Sequence, residues 1–258
     1  MQMRKMADNL ISVVMPAYNC RKTIAQAVDS VLAQDGVDWE LIIVNDASPE
    51  PLDDVLGQYR GDRRIHYFMN KRNRGVSYTR NRGIRLSKGK WVAFLDADDC
   101  WMPGKLKKQL DLLEENHLVL CATARKLMDA DGHMTGRVIP VAEDLTYRSL
   151  LSGNPVNNSS VLVRRDVLLE FPMERDDIHE DYALWLSVLK KYKRACAINE
   201  PLLCYRVDVH SKSGNKLKSV WMNYLTFRYV GMSVPQSLVC LARYAVAGVR
   251  KYYFEPNG

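Results

Sequence analysis

The stretch 91-WVAFLDADDC-100 joins an apolar run to a cluster of carboxylates. Residues 91–95 have the composition of a buried strand, and three acids, Asp96, Asp98 and Asp99, follow within the next four positions. Like charges at the mouth of a hydrophobic core repel one another, and the repulsion costs free energy unless an opposite charge offsets it. The stretch therefore indicates a sheet strand that ends at a functional site.

Strand and helix patterns alternate on both sides of this stretch through the first hundred residues. The apolar runs 10–16, 39–45 and 64–70 predict three further strands. Apolar residues at helical spacing predict helices over 22–34, 51–60, 76–87 and from Leu106 onward. This alternation predicts right-handed crossovers and a mostly parallel sheet, whose ligands bind beyond the carboxyl ends of the strands.

After residue 118 the alternation weakens. Strands are expected over 118–128, 159–165 and 195–207, a helix over 180–192, and a loop with a short helix over 140–158. We therefore expect an α/β fold in which a single mostly parallel twisted sheet with flanking helices spans residues 10–212. Residues 213–258 form a separate basic, amphipathic and helical C-terminal segment in this interpretation.

The composition of the 258-residue chain argues against several classes of protein. Apolar residues make up 47%, so a sizeable core is expected. The six cysteines form no C-x-x-C pair, which predicts neither a zinc site nor a disulfide framework and favours a reducing cytosol. The first 16 residues lack the pattern of a signal peptide, and no apolar run reaches the ~18 residues of a transmembrane helix.

The net charge of +7 is concentrated near the C-terminus. Residues 212–258 contain seven Lys or Arg and one acid. No nucleic-acid recognition motif accompanies them, so nucleic acid is not an expected partner. The apolar and basic residues of 237–251 predict an interfacial helix that docks on the anionic inner face of the cell membrane. A helix packed on the main domain is the equal alternative.

Asp96 and Asp98 form a D-x-D motif at the end of a predicted strand. Mg²⁺ and Mn²⁺ prefer oxygen ligands, and Mg²⁺ often uses one or two carboxylates together with substrate phosphates. A metal site and a solvated loop that caps the helix near Pro103 are both open at this point. The similar stretch DADG at 129–132 lacks the third ligand position and the closing Glu of a calcium loop, so a hairpin turn is predicted there.

Three further groups of polar residues lie beside predicted elements, and each has two interpretations. Asp46, directly after a strand, can accept a hydrogen bond from a nucleobase or ribose, or it can form an Asx turn. Arg80 and Arg82, in a helix whose N-terminus favours anions, can face a pyrophosphate, pair with the acid cluster or face solvent. Glu180 and Asp181 begin a helix, where acids stabilise the helix dipole or serve as a general base. No G-x-G-x-x-G follows the first strand and no P-loop motif occurs, which disfavours dinucleotide and P-loop sites.

Together these stretches resemble the family-2 inverting glycosyltransferases of bacterial surface-polysaccharide synthesis. The matching stretches are VVMPAYN, VNDAS, NRGVSYTRNRGI, FLDADD, HEDYALWL and YR followed by His210, and they cover roughly residues 10–212. The resemblance implies the glycosyltransferase-A fold, also found in nucleotide-diphospho-sugar transferases. It also accounts for the carboxylates of the opening stretch, which in this family grip the metal ion of a sugar nucleotide.

The resemblance implies roles for individual residues. Those implied to bind the nucleotide-sugar are Pro16, Ala17, Tyr18, Asp46, Arg80, Asp96, Ala97 and Asp98. Asp98 is implied to bind the Mn²⁺ or Mg²⁺ that bridges the diphosphate, with His210, in a loop that closes over the diphosphate, as a second metal ligand. Asp181 takes the position of the general base, with Glu180 beside it.

The implied reaction moves one sugar from a nucleotide-sugar, expected to carry uracil, to a hydroxyl of a lipid-linked oligosaccharide or polysaccharide such as an O-antigen precursor. The chain lacks the Q-x-x-R-W motif and membrane spans of processive synthases, which favours a single transfer. The expected location is cytoplasmic and peripheral on the inner face of the cell membrane. Two alternatives stay open: a nucleotidyltransferase, which would need a Gly-rich loop after the first strand, and a non-catalytic binder of sugar nucleotides.

Overall fold

The computed structural model describes residues 9–207 and 216–253. The strands are β1 Ile11–Ala17, β2 Trp39–Asn45, β3 Ile65–Met69, β4 Trp91–Phe94, β5 Cys100–Trp101, β6 Leu120–Met128, β7 Met134–Ile139, β8 Asp144–Thr146, β9 Leu162–Arg164 and β10 Arg194–Arg206. The helices are α1 Ile24–Leu32, α2 Asp53–Gly57, α3 Val76–Leu86, α4 Lys105–Asn116, α5 Tyr147–Leu150, α6 Arg165–Glu170, α7 Glu180–Tyr192, α8 Lys216–Tyr229 and α9 Val234–Tyr253. A 3-10 turn spans Asn158–Ser160.

One sheet organises the molecule, with the strand order β3-β2-β1-β4-β9-β6-β10-β5 and with β7 paired to β6 and β8 to β10. The first four strands in this order are parallel, as the strand–helix alternation predicts. β9 runs antiparallel to both β4 and β6, while β6 and β10 are again parallel. The predicted α/β fold with a sheet and flanking helices is confirmed. Apart from the two-residue strand β5, which pairs antiparallel with β10, the strands in antiparallel pairs with β4, β6 and β10 come from the part of the chain where the alternation weakens.

Element boundaries follow the sequence patterns closely in the parallel half. β2 and α7 cover the predicted residues without a shift, while α1 and α2 are shorter than predicted at both ends. The stretch 195–207, predicted as one or two strands, is essentially the single strand β10. Its register shifts on both sides of Pro201, because proline has no N–H group to donate to the neighbouring strand.

The core has two layers, one on each face of the sheet. Along β1, Val14 belongs to the layer under α6 and α7, whereas Val13 and Met15 belong to the layer under α1 and α4. Alternate residues of a strand point to opposite faces, and a parallel strand covered on both faces is apolar throughout. This explains why β1 and β4, in the middle of the sheet, are buried along nearly their whole length, while the edge strand β3 is partly exposed.

Close packing of α3 against β1 fixes the helix that carries Arg80. Gly83 lies over Val14, and a Cβ atom at position 83 would come within 2.4 Å of Val14 Cγ1. Gly75, at the N-cap of α3, has φ of +85°, a conformation that favours glycine. Both glycines therefore help to set the position of α3 at the edge of the sheet.

The C-terminal helices α8 and α9 pack with their inner faces on the rest of the domain. Phe227 of α8 is fully buried and meets Tyr182 of α7 edge to face, with ring centroids 5.8 Å apart. The His179 amide donates to Thr226 Oγ1 at 3.1 Å, and Cys240 of α9 joins the same core layer. The inner faces of both helices therefore match the second interpretation of the sequence, a helix packed on the main domain. Within 9–207 and 216–253, no helix has both the length and the hydrophobicity needed to cross a bilayer.

Candidate active site

A cleft of about 1180 Å³ opens at the edge where the parallel strands end. Its walls include the predicted site residues Pro16, Ala17, Tyr18, Asp46, Arg80, Asp96, Ala97, Asp98, Glu180 and Asp181. The structure thus brings together residues that are up to 165 positions apart in the chain. His210, the remaining predicted site residue, lies outside the described residues.

Asp46 is buried in the wall of the cleft and holds the loop that leads into α3. Its Oδ1 accepts hydrogen bonds from Asn70 Nδ2 at 2.6 Å and from the Arg74 amide at 2.9 Å, and its Oδ2 accepts from the Gly75 amide at 2.8 Å. The carboxylate of Asp46 is thus bound by groups of residues 70–75, while its neighbour Asn45 accepts a hydrogen bond at Oδ1 from the Ser48 amide at 2.9 Å. Asp46 therefore shapes the cleft, and a carboxylate with about four acceptor positions keeps capacity for a further donor.

Arg80 is a buried link between three elements. Its Nη1 donates to Glu180 Oε1 at 2.9 Å and its Nη2 to Asp96 Oδ1 at 2.6 Å. Burial opposes the charge, but the carboxylates of Asp96 and Glu180 overcome this effect and raise the pKa of Arg80 above its ordinary value. The guanidinium is therefore committed to protein carboxylates and fixes the position of both.

Residues 96–99 form a loop after β4, termed the acid loop. Its three acids have three different environments. Asp96 bonds Arg80, and its own amide donates to Ser159 Oγ at 3.1 Å. Asp99 is 2% exposed, and burial followed by the charges of Asp98 and Asp96 raises its pKa well above the ordinary value. Asp98 is exposed to the cleft, yet the surrounding protein, followed by Asp96, raises its pKa to about 6. Asp98 is thus the acid of this loop that faces a ligand.

Arg206 holds the main chain of the acid loop from behind. Its Nε donates to the Asp98 carbonyl at 2.8 Å, and its own amide donates to Asp99 Oδ1 at 2.9 Å. Its Nη1 donates to the Ala130 carbonyl at 2.9 Å and its Nη2 to Gln26 Oε1 at 2.6 Å. The sequence marks Arg206 only as part of the YR stretch, and this clamp becomes visible once β10 is folded beside β5.

Asp181 and Glu180 occupy the first turn of α7 but differ in what they contact. Glu180 is bound to Arg80, whereas Asp181 lies in the cleft wall and accepts a hydrogen bond from the Tyr182 amide at 2.7 Å. Burial, followed by the charge of Glu180, raises the pKa of Asp181 to about 7. A carboxylate with a pKa near neutrality is suited to proton transfer at neutral pH.

Two buried asparagines in the cleft wall were not singled out from the sequence. Asn158 is 5% exposed and Asn223, on α8, is 2% exposed. Neither Asn158 Oδ1 and Nδ2 nor Asn223 Nδ2 has a hydrogen-bond partner among the described residues. A lone asparagine in a loop or helix carries no sequence signal that distinguishes it from a solvated one, so their role becomes visible through burial alone.

The predicted hairpin turn at 129–132 is confirmed. It joins β6 to β7, with Gly132 at φ of +93° and with the Asp129 amide donating to the His133 carbonyl at 2.9 Å. One ligand atom each from Asp129, Asp131 and His133 lies within 4.8 Å of the others. Backbone amides already bind Asp129 Oδ1, and the cluster lies on the surface, so it does not by itself indicate a metal site.

The donor set of the acid loop fits a hard divalent cation. Asp98 presents a carboxylate to the cleft, and Asp96 stands two positions away with one oxygen turned to Arg80. The surrounding protein and then the charge of Asp96 raise the pKa of Asp98, and a bound cation would offset both effects. Oxygen ligands of this kind are preferred by Mg²⁺ and Mn²⁺.

Comparison with known proteins gives matches over most of the chain. Residues 12–169 match the family model described as Glycosyl transferase family 2. TuaG of Bacillus subtilis (strain 168), named as a candidate glycosyltransferase of teichuronic acid biosynthesis, is 35% identical over 94% of this chain and 97% of its own. WfaP of Escherichia coli, named as a UDP-Glc:α-D-GlcNAc-diphosphoundecaprenol β-1,3-glucosyltransferase, is 31% identical over 95% of this chain and 96% of its own.

Two solved structures are similar over almost the whole chain at low sequence identity. TarS 1–349 of S. aureus in complex with UDP-GlcNAc has a TM-score of 0.71 at 16% identity. The alignment covers 94% of this chain and 73% of the TarS chain. The mannosyltransferase PcManGT of Pyrobaculum calidifontis in complex with GDP-Man and Mn²⁺ has a TM-score of 0.66 at 14% identity and covers 96% of this chain and 76% of its own. At these identities the similarity concerns the fold, and it agrees with the fold expected from the sequence.

Proposed function

The chain belongs to glycosyltransferase family 2, and we propose that it transfers a hexose from a UDP-sugar to a hydroxyl of a saccharide linked to undecaprenyl diphosphate. WfaP, which matches 95% of the chain, is named for such a reaction with UDP-glucose. The observation that carries the proposal is that Asp98 and Asp181 line one cleft, the first facing a ligand and the second with a pKa of about 7. One residue is thus suited to a diphosphate site and the other to proton transfer.

The nucleotide occupies the end of the cleft near β1 and β2. Tyr18 is about half exposed there and offers an aromatic surface to the base. Asp46 fixes the loop before α3 and keeps acceptor capacity for the base or ribose. Arg80 acts through Asp96, which it holds in place beside the ribose and diphosphate.

Asp98, assisted by Asp96, is the residue we propose to hold Mn²⁺ or Mg²⁺. When bound, the ion supplies positive charge that stabilises the leaving diphosphate. PcManGT, which has the same fold, was crystallised with Mn²⁺. His210 stays a prediction as a second ligand, since it lies outside the described residues.

Asp181 is the proposed general base. It takes the proton of the acceptor hydroxyl as that oxygen bonds to the anomeric carbon, and the bond from this carbon to the diphosphate breaks with its electron pair leaving on UDP. One displacement inverts the anomeric centre. The β-1,3 linkage in WfaP's name supports this outcome, because the glucosyl bond of UDP-glucose is α.

The outer faces of α8 and α9 support docking on a membrane that carries the lipid-linked acceptor. More than half of each of Trp221, Leu238 and Val239 is exposed, and Trp221 stacks on Tyr224 with ring centroids 5.3 Å apart. Tryptophan and apolar side chains favour the interfacial region, and Arg243 beside them favours anionic lipid. A Trp221→Asp, Leu238→Asp double variant should lose flotation with anionic vesicles and keep its turnover of a water-soluble acceptor. Unchanged flotation would refute the docking surface.

The proposed reaction is tested with the full chain, Mn²⁺, a panel of radiolabelled UDP-sugars and a short-chain GlcNAc-diphosphate lipid. We expect one UDP-sugar to give a β-linked product, identified by the anomeric coupling in its NMR spectrum. Asp181→Asn should lower the transfer rate about 10²- to 10⁴-fold, the usual contribution of a general base. A wild-type protein that binds UDP-sugars and neither transfers nor hydrolyses any of them would be a non-catalytic binder, and the proposal would be wrong.

A further inference from the structure

Asn158 is a buried amide whose hydrogen-bonding groups are both unmatched. Its side chain is 5% exposed, and neither Oδ1 nor Nδ2 has a partner among the described residues. Burying an amide in this state is unfavourable, and native proteins rarely keep such a group without a reason. Because Asn158 lines the cleft, a ligand bound there can complete its hydrogen bonds.

The turn that carries Asn158 is held in place by other groups. Asn157 Oδ1 accepts from the Ser159 amide at 2.8 Å, and Trp101 Nε1 donates to the Ser159 carbonyl at 2.7 Å. Gln109 Nε2 donates to the Ser160 carbonyl at 2.9 Å. The side chain of Asn158 makes none of these contacts, so the fold of the turn does not account for it.

The strand order places Asn158 relative to the rest of the site. The turn Asn158–Ser160 leads into β9, which is the neighbour of β4 in the sheet, and Ser159 Oγ accepts from the Asp96 amide at 3.1 Å. Asp46 follows β2, which lies on the opposite side of β4 with β1 between them. Asn158 is therefore next to the acid loop, on the side away from the nucleotide end of the cleft.

A UDP-sugar with its base near Asp46 and its diphosphate at Asp98 extends its sugar toward Asn158. We propose that Asn158 binds the hexose of the donor through two neighbouring hydroxyl groups, with Nδ2 donating to one and Oδ1 accepting from the other. An amide suits this task because each hydroxyl can both donate and accept. Asn158 thereby selects the configuration of these hydroxyls in the donor. This inference rests on the proposed function and extends it to the sugar-binding end of the same site.

The test uses Asn158→Leu in the full chain, a change of similar shape that removes both polar groups. Calorimetry with Mn²⁺ gives the affinities for UDP and for the UDP-sugar that the wild-type protein turns over. We expect the affinity for UDP to be unchanged. The affinity for the UDP-sugar should fall about tenfold, since hydrogen bonds to the sugar are lost. The melting temperature of the ligand-free variant should stay equal or rise, because an unmatched buried amide has been removed.

Thr123→Val is the matched control. Thr123 Oγ1 is another buried polar atom without a partner, and it lies on β6 outside the cleft wall. This variant should keep both affinities. A fall in UDP affinity equal to that for the UDP-sugar, or a ratio of the two affinities unchanged in Asn158→Leu, would overturn the sugar contact while the transfer reaction stands. Absence of turnover in the wild-type protein would instead overturn the proposed function.

Discussion

The acid loop and the β6–β7 turn begin with the same three residues, Asp-Ala-Asp, and have opposite environments. In the acid loop, the protein around the cleft-facing Asp98, followed by the charge of Asp96, raises the pKa of Asp98 to about 6. In the turn, the backbone amide of His133 lowers the pKa of Asp129. The first region faces a cleft, and the second is exposed on a hairpin.

The difference shows that the Asp-x-Asp pattern gains a function from its position on the sheet. The acid loop follows β4, whose carboxyl end meets those of β1 and β2 at one edge. The turn joins two antiparallel strands and satisfies Asp129 with its own amides. Unmatched charge near the core can bind a ligand, whereas charge already bound by the local backbone stabilises a turn.

The largest expected difference between the two regions is catalytic. Asp98→Asn should lower kcat/KM with Mn²⁺ by about 10²- to 10³-fold, in the range of losing one electrostatic contact to the transition state. Asp131→Asn, the matching position in the turn, should leave kcat/KM unchanged. Steady-state kinetics of both variants measure this directly. Equal losses in the two variants would contradict the assignment of the metal to the acid loop.

A pH profile extends the comparison to Asp181, a third acid whose environment is set by burial. Asp181 is active as a base when ionised, and its pKa is about 7. We therefore expect kcat/KM to fall by about tenfold for each pH unit below 7 and to level off above it. Because Asp98 loses its charge below its own pKa of about 6, Asp181→Asn should lack only the part of the acidic limb between pH 6 and pH 7 in its residual activity. A wild-type profile that is flat between pH 5.5 and pH 8, at saturating Mn²⁺, would contradict the base assignment.

Arg206 joins the two regions, since it donates to the carbonyls of both Asp98 and Ala130. Arg206→Lys keeps the charge and cannot reproduce the planar set of donors. We expect about a tenfold loss of kcat/KM with a higher concentration of Mn²⁺ needed for half-maximal activity. Arg137→Lys, at an exposed position of β7, is the control. An unchanged Mn²⁺ requirement in Arg206→Lys would show that the clamp does not position the acid loop.

The smallest effect is expected within the acid loop itself. Asp99 Oδ1 accepts from the Arg206 amide, and asparagine retains an oxygen that can do the same. Asp99→Asn should therefore lower kcat/KM by less than about threefold, because the hydrogen bond from the Arg206 amide is retained. A loss as large as that of Asp98→Asn would mean that all three acids act on the ligand.

Much of the fold could be predicted because its signals are local. β2 and α7 have the predicted bounds, since an apolar run and helical spacing depend on neighbouring residues. The antiparallel strand β9 could not be ordered between β4 and β6 from the sequence, because its three residues carry no pairing information. Short strands are placed by contacts made elsewhere in the chain.

The site was predictable as a set of residues and less so in its contacts. Motif order located Asp98 and Asp181, and both line the cleft. The sequence left open whether Arg80 faces a pyrophosphate or pairs with the acid cluster; the structure binds it to Asp96 of that cluster and also to Glu180, which is 100 positions away. Asn158 gave no signal at all. Hydrogen-bond partners distant in the chain become known only from the folded structure.

By itself the sequence determined where strands and helices begin and end, which residues follow the strand ends, and that acids accumulate there. These features depend on interactions within a few residues of one another. The tertiary structure decided which of those acids is bound by arginine, which is buried and which faces the cleft, and it brought Asn158 beside the acid loop. Burial and hydrogen bonding decide the chemistry of a side chain, and both are properties of its surroundings in space.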